Sequence, residues 1–373
     1  MTKIKIPLGK PYVGSDELEA IKNVMESGCA AGTCPEVRKF EDEFAEFIGS
    51  KYAVATSSCT TALHLACLAI GLSSKSTAVV PSFTFPATGF APKFVGAEVD
   101  VVDVQPDTFN IDPECLPGYL PDVIIPVHCV GNPADMDAIM DYADDTGAAV
   151  IEDAACAIPA YYKGKPAGTI GTVGCYSFYA IKNLCTGEGG MLVTDNEEIA
   201  EKARSLCDFG KTTSKPLPKF TQLGYNYRLS AIQAAVGRVQ LKKLTDMHER
   251  RTEIAKKYDS YIHSELGNLI KTQVVRDLCV SAYQRYTIVL NPETNRDKVI
   301  MDMDKLGIQC AIGTYDLASQ PYFEKNMAYH RNNQVSKLLF EQSISLPTFP
   351  GLTQEEINTV CEALRICLCS NQR

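Results

Sequence analysis

The stretch SFYAIKNLCTGEGGMLVTD, residues 177–195, places Lys182 between an aromatic run and the glycines Gly187, Gly189 and Gly190, then enters a short apolar segment. A lysine amine forms an imine with a carbonyl only when neutral. A free lysine, with a pKa near ~10.4, is almost wholly protonated at neutral pH, so a reactive lysine needs a pocket that tunes it. Glycines followed by a buried strand supply one, because they allow a tight turn and close approach of backbone to a flat ligand. Ser177, on the other side of the lysine, can turn a hydroxyl to a phosphate. Taken alone, the same residues also describe a lysine on a surface loop, and the surroundings must decide.

Outward from this stretch, apolar runs alternate with helical patterns. YAVA, TAVVPSF, VDVVDV, VIIPVHCV, AAVIEDAA, TVGCYSFY and GGMLVTD are short, rich in Val and Ile and barely alternating, as strands covered on both faces are. MDAIMDYADDTG and NEEIAEKARSLCDFG have helical spacing and close on Gly147 and Gly210. The expected fold is α/β, a large domain with a mostly parallel sheet covered by helices, spanning residues 1–246 with the N-terminal segment. A smaller C-terminal α+β domain is expected over 247–373, where YQRYTIVL is strand-like and RDKVIMDMDKLGI and TQEEINTVCEALRICL are helical. From Ser230 the pattern stays helical for roughly thirty residues, which predicts a bridge between the two. Near the start, Ser15 is expected to cap a helix with Leu18, Ile21, Val24 and Met25 on its apolar face. Pro35 opens a second, with the stripe Val37, Phe40, Phe44, Phe47 and Ile48, and Gly49 ends it.

A chain of 373 residues, 45% of them apolar, buries an ample core. Its net charge of −9 is dispersed, which argues against a nucleic-acid surface. KKLTDMHERR, the densest basic stretch, interleaves acids and reads as a solvated helix face. The 15 cysteines are scattered, several inside apolar runs, and no signal peptide opens the chain, so reduced thiols and a cytoplasmic location are expected. Cys367 and Cys369 have no second pair or histidine cluster at zinc spacing, and no metal is expected. No run reaches the ~20 apolar residues of a membrane span.

Three further elements join Lys182. Asp153 follows an apolar strand among alanines, at the carboxyl end where parallel sheets bind ligands, and a carboxylate there needs a partner. The pyridinium nitrogen of pyridoxal 5'-phosphate would serve, and helix capping is the alternative. In SSCTTALH, Ser58, Cys59, Thr60 and Thr61 fall at a helix start, a natural anion site as well as an ordinary cap. Phe85, just past a strand end in VVPSFTFPATG, can cover an aromatic ring or simply fill the core.

In this order on an α/β scaffold, the elements resemble the large domain of a fold-type I pyridoxal-phosphate enzyme, and more specifically the DegT/DnrJ/StrS family of sugar aminotransferases. The resemblance runs from IPLGKP and SGCAAGT through EVRKFEDEFAEFIG, VPSFTFPAT, PVHCVGNPADMD, IEDAA and SFYAIKNLCTGEGGM to GYNYRLSAIQAAVG and SLPTFPGLTQEE. It implies that Lys182 carries the cofactor covalently and moves the reacting proton, that Asp153 partners the pyridine nitrogen, and that Phe85 stacks on the ring. Ser58, Cys59, Thr60 and Ser177 correspond to the phosphate contacts, and Cys156 lies near the cofactor's phenolic oxygen, where many relatives carry Gln. Asn226 in GYNYR corresponds to a residue that reaches the phosphate from the neighbouring subunit, which implies a homodimer with shared sites. Cys29, Ala30, Ala31, Thr33, Arg228 and Tyr315 correspond to positions near the substrate.

The reaction implied is transfer of an amino group from L-glutamate to a nucleotide-linked keto-deoxysugar, with no nucleic acid or membrane as partner. Lys182 is intact, whereas a dehydratase branch of the family carries His there. A pyridoxal-dependent lyase or dehydratase on the same fold, and a regulatory protein that kept the fold without the chemistry, are the alternatives.

Overall fold

In the computed structural model, which describes residues 5–212 and 217–370, seven of the apolar runs form one sheet. They are β1 (Tyr52–Thr56), β2 (Thr77–Pro81), β3 (Glu98–Val102), β4 (Val123–Ile124), β5 (Ala149–Asp153), β6 (Val173–Ser177) and β7 (Gly190–Thr194). Their order across the sheet is β1-β7-β6-β5-β4-β2-β3. The five strands from β6 to β3 are parallel neighbours, and β7 runs antiparallel to both β1 and β6. Such a sheet must be covered on both faces, and the helices do this: α1 (Ser15–Glu26), α2 (Pro35–Ile48), α3 (Cys59–Ile70), α4 (Ala87–Phe94), α5 (Met136–Thr146), α6 (Glu197–Cys207) and α7 (Ala231–Tyr261).

The two-residue period of the strands sorts the core. Val54, Cys175 and Leu192 turn to the face where Leu63, Leu65 and Ala66 of α3 pack with Ala203 and Leu206 of α6. Ala53, Ala55, Tyr176, Met191 and Val193 turn the other way, onto Phe40 and Phe44 of α2 and Leu241 and Leu244 of α7. Phe40 and Phe44 are fully buried and meet Phe178 and Tyr176 at centroid distances of 5.2–5.5 Å, in the tilted and edge-on geometry that aromatic rings prefer. Pro35 opens α2, and Gly49 ends it in the left-handed region at φ 75°.

The helix from Ser230 is continuous for 31 residues. Its Met247 packs in the first core and its Ile254 in a second, formed around the antiparallel strands Ile270–Thr272, Tyr286–Leu290, Ser343–Leu346 and Ala311–Ile312 and the helices Arg296–Lys305 and Gln354–Ser370. The first described residues lie along this second body, where Ile6 bridges Ile308.

Several local expectations are corrected. The first helix is capped by Gly14, and Leu18 and Met25 are exposed at 69% and 58%. Its buried face carries Glu17 instead, whose carboxylate accepts from Gln240 and Lys243 of α7 at 2.8 and 2.9 Å; the tie is electrostatic, so hydrophobic spacing could not find it. The sixth helix, α6, stops at Cys207 rather than running to Gly210. Cys29 and Cys34, expected as free thiols, are joined in a disulfide, because the turn between them brings their Cα atoms within 5.8 Å. Arg251, at the end of the supposedly solvated basic stretch, is fully buried. Its Nη1 donates to the carbonyls of Tyr283, Gln284 and Thr348, and burial pushes its pKa down to about 10.

Arg251 thus ties α7 to the segment that leads into the second sheet. Arg251→Met should lower unfolding free energy by about 2–4 kcal/mol, because three carbonyls lose their donor together. Urea denaturation followed by circular dichroism measures the loss.

Candidate active site

The carboxyl ends of β1, β5 and β6 open on one edge of the sheet, the edge at which α/β folds bind ligands. Asp153 ends β5, Ser177 ends β6, and the chain leaving β1 at Thr56 turns through Ser57 into the start of α3. Gly190 begins β7 at the same edge, paired with both Thr56 and Ser177. A Cβ on Gly190 would stand 2.4–2.6 Å from the backbone of Ser58 and Cys59, so only glycine lets the Lys182 loop lie against the α3 turn. The loop closes on itself through Phe178 N–H to Gly189 and Thr186 N–H to Phe178, and Gly187 takes a left-handed φ of 83°. Lys182 stands at its crown, in a turn where its own N–H donates to Tyr179.

A cavity of about 460 Å³ opens between these elements. Of the expected site residues, Ser58, Cys59, Thr60, Phe85, Asp153, Cys156, Ser177, Lys182 and Tyr315 line it. Cys29, Ala30, Ala31, Thr33, Asn226 and Arg228 do not. These six gather elsewhere: Gly32 lies against Arg228 and Leu229, Ala231 N–H donates to Ala30, and the Arg228 guanidinium is turned to Asp208 and the ring of Phe209.

Asp153 is the most constrained group in the cavity. It is buried, its Oδ2 accepts from Thr88 at 2.8 Å and its Oδ1 from the Ala155 N–H at 3.1 Å. Burial raises its pKa despite these bonds and the positive field of Lys182. The preceding residue shows the contrast. Glu152, on the other face of β5, accepts four N–H bonds, from His128 Nε2, Gly168, Ile170 and Gly171, at 2.6–2.9 Å. Because His128 Nδ1 accepts from Ala134, its Nε2 carries the hydrogen given to Glu152. Glu152 is saturated, whereas Asp153 keeps acceptor capacity toward the cavity.

At the other end of the cavity Ser58 caps α3, its Oγ accepting from Thr61 N–H at 3.2 Å. The N–H groups of Cys59 and Thr60, first in the helix, have no acceptor within it. Burial pushes the Cys59 thiol well up, so it stays neutral and leaves this positive helix end to a ligand's anion. Lys182 Nζ donates to Cys156 Sγ at 2.9 Å. Phe85 is 62% exposed, which removes the core reading, and meets Tyr315 edge-on at 6.1 Å. Tyr315 arrives from the second body because residues 315–316 pair with Phe83–Thr84 as a short antiparallel ladder.

Thr88, Gln284 and Arg285 were not singled out from sequence. Thr88 sits on α4, and its link to Asp153 spans 65 residues, a distance no local pattern encodes. Gln284 and Arg285 line the cavity just ahead of the strand Tyr286–Leu290; two polar residues opening an apolar run were the available signal.

Residues 11–365 match the DegT/DnrJ/EryC1/StrS aminotransferase family. The spore coat polysaccharide biosynthesis protein SpsC of Bacillus subtilis is 33% identical over 96% of both chains. The GDP-perosamine synthase of Caulobacter vibrioides is 32% identical over 96% of this chain and 97% of its own. Among solved structures, the aminotransferase TlmJ from Streptoalloteichus hindustanus superposes with a TM-score of 0.92 at 28% identity, covering 98% of this chain and 99% of that one. The chain belongs to the DegT/DnrJ/EryC1/StrS aminotransferase family, whose sugar aminotransferases are pyridoxal 5'-phosphate-dependent transaminases.

The residues fit that cofactor. An unsaturated buried carboxylate suits a cationic ring nitrogen, the open helix terminus suits a phosphate, and Lys182 offers the amine between them. Among the described residues no group of His, Cys, Asp and Glu could hold a metal, and no helix is long and apolar enough to cross a membrane.

Two outcomes follow. Gly190→Ala should weaken pyridoxal-phosphate binding about tenfold, because the new methyl displaces the Ser58–Cys59 backbone; a fluorescence titration of the cofactor-free protein reads it. Asp153, with its pKa raised in the folded state, stabilises the cofactor-free protein fully below its unfolded pKa, and that contribution is lost as pH rises through the folded value. Asp153→Asn should therefore raise the cofactor-free unfolding temperature at pH 7–8 and flatten its decline with pH, while transamination falls by orders of magnitude.

Proposed function

We propose that the protein transfers the amino group of L-glutamate to a nucleotide-linked keto-deoxysugar, in the biosynthesis of amino sugars for surface polysaccharides. The observation that carries this reading is the convergence of Lys182 and Asp153 in one cavity with an open helix terminus. The relatives' names, spore coat polysaccharide biosynthesis protein and GDP-perosamine synthase, support the polysaccharide setting.

Pyridoxal phosphate, when bound, supplies the electron sink that accepts the pair left when the donor's C–H bond breaks. Asp153 keeps the proton on the ring nitrogen, and Thr88 and the Ala155 N–H keep Asp153 in place. Lys182 Nζ would take the proton from the substrate carbon and hold it on its amine for return to the bound molecule, a positioned transfer expected to be worth about 10²–10⁴-fold. Cys59 and Thr60 N–H groups, with Ser58 and Ser177, hold the phosphate, while Phe85 and Tyr315 cover the cavity mouth and exclude water. Cys156 Sγ accepts from the lysine amine and holds it in the cavity.

We further propose a homodimer. Asn226 is exposed and outside its own cavity, together with the disulfide-closed turn 29–34 and Arg228. The nearby Phe209, Phe220 and Leu223 are exposed apolar side chains that a second copy would bury. On this reading the gathered residues complete the cavity of the partner subunit.

Adding L-glutamate to the cofactor-loaded protein should shift its visible absorbance with release of a stoichiometric keto acid, and a screen of keto-sugar nucleotides read by mass spectrometry should give one amine product. A lyase yields no such keto acid, and a binding protein shows no shift. Lys182→Ala should keep the cofactor through its phosphate contacts yet lose at least about 10²-fold in either half-reaction. Mixing Lys182→Ala with Asn226→Ala subunits should restore up to about a quarter of wild-type activity, because each mixed dimer keeps one intact site. No recovery after subunit exchange would overturn the shared-site arrangement.

A further inference from the structure

Two side chains in the cavity have no task in the chemistry above. Arg285 is half-buried; its backbone N–H donates to Val130, and its Nη1 donates to the carbonyls of Ile312 and Gly313 at 3.4 and 3.1 Å. Those carbonyls fix one end of a planar fork and leave the Nε–Nη2 edge, the edge that matches a carboxylate with two parallel hydrogen bonds. Among the described residues no carboxylate pairs with it, its side-chain bonds being those to the two carbonyls, although Asp153 and Glu188 line the same cavity. Beside it, Gln284 is 96% buried by its 4% exposure; its Nε2 donates to Ile181 at 3.1 Å, and its Oε1 has no partner. A buried amide oxygen left open in a ligand cavity is an acceptor waiting for a donor. The wall is held from behind by buried Arg251, which bonds the carbonyls of Tyr283 and Gln284, so the pair is pre-placed rather than mobile.

We infer that Arg285 anchors the carboxylate of the amino donor, with Gln284 accepting an N–H or O–H of the bound molecule. This rests on the transaminase reading and names the residue that selects its donor. The chemistry is that of an oxyanion, which the donor's carboxylate or the acceptor's diphosphate could supply. Geometry favours the carboxylate. In an amino acid it is bonded to the reacting carbon, which must lie beside Lys182 in this cavity, whereas a sugar ring separates a nucleotide's phosphates from the ketone. Arg285 is therefore a substrate-binding residue and takes no part in moving the proton.

The test uses the cofactor-loaded protein with two probes, glutarate, which has the carboxylates but no reactive amine, and inorganic pyrophosphate. Calorimetry should show glutarate affinity reduced about ten- to hundredfold by Arg285→Ala and partly regained in Arg285→Lys, with pyrophosphate affinity unchanged. In stopped-flow spectra the L-glutamate concentration for half-saturation of the first half-reaction should rise by the same factor, while the half-reaction with the keto-sugar nucleotide stays within about threefold. Unchanged glutarate binding in Arg285→Ala, or a wild-type protein that does not bind glutarate, overturns the inference. A loss confined to pyrophosphate does so too, and gives the arginine to the nucleotide. Failure of the transaminase reading looks different: glutarate binding still depends on Arg285, but glutamate causes no spectral shift. Circular dichroism and the cofactor spectrum of each variant confirm that the fold and the loaded site are intact.

Discussion

A carboxylate shut away from water with only two hydrogen bonds is the constraint around which this molecule is organised. Asp153 is held by Thr88 and by the Ala155 N–H, and burial still drives it toward its neutral form. Without a cationic partner such a group opposes folding. The positive charge of Lys182 offsets part of that cost. The neighbouring Glu152 shows that the fold could have satisfied a carboxylate at this place with backbone donors, and does so one residue earlier on the opposite face. The two adjacent acids thus differ in saturation, four N–H donors on Glu152 against one hydroxyl and one N–H on Asp153.

The second constraint is steric. The lysine loop and the phosphate-sized turn approach so closely that no side chain fits at Gly190. Because Gly190 is paired in register with both Thr56 and Ser177, strand pairing anchors the two ends of the Lys182 loop beside the start of α3. The second body contributes the remaining wall through Gln284, Arg285 and Tyr315, fastened by Arg251 on one side and by the short ladder 83–84 with 315–316 on the other. The sheet edge thus carries Lys182 and Asp153, and the wall brought from the second body carries Arg285, which no carboxylate pairs with among the described residues.

Much of this was legible in the chain itself. The seven strands, the helix opened by Pro35 and closed by Gly49, the 31-residue helix from Ala231 and the grouping of Ser58, Cys59, Asp153, Ser177 and Lys182 all follow from period, punctuation and motif order. These signals are local, or belong to a topology that places successive strand ends on one edge. What failed was whatever depended on a partner far along the chain. Glu17 displaced Leu18 from the buried face of α1 because Gln240 and Lys243 wait for it. Arg251 is buried in a stretch that reads as solvated because three carbonyls from two distant segments receive it. Cys29 found Cys34 because a turn, and not a spacing rule, brought them together.

The sequence by itself determined the α/β architecture and the placing of Ser58, Cys59, Asp153, Ser177 and Lys182 at one edge of the sheet, because hydrophobic period, glycine punctuation and strand-end position act over a few residues at a time. Only the tertiary structure decided which expected residues share one cavity and which, like Asn226 and Arg228, gather apart from it. It alone set the bonds that hold Asp153 and brought Arg285 to the wall of the cavity. The physical reason is that desolvation and charge pairing depend on groups separated by tens to hundreds of residues, and chain folding alone sets those distances.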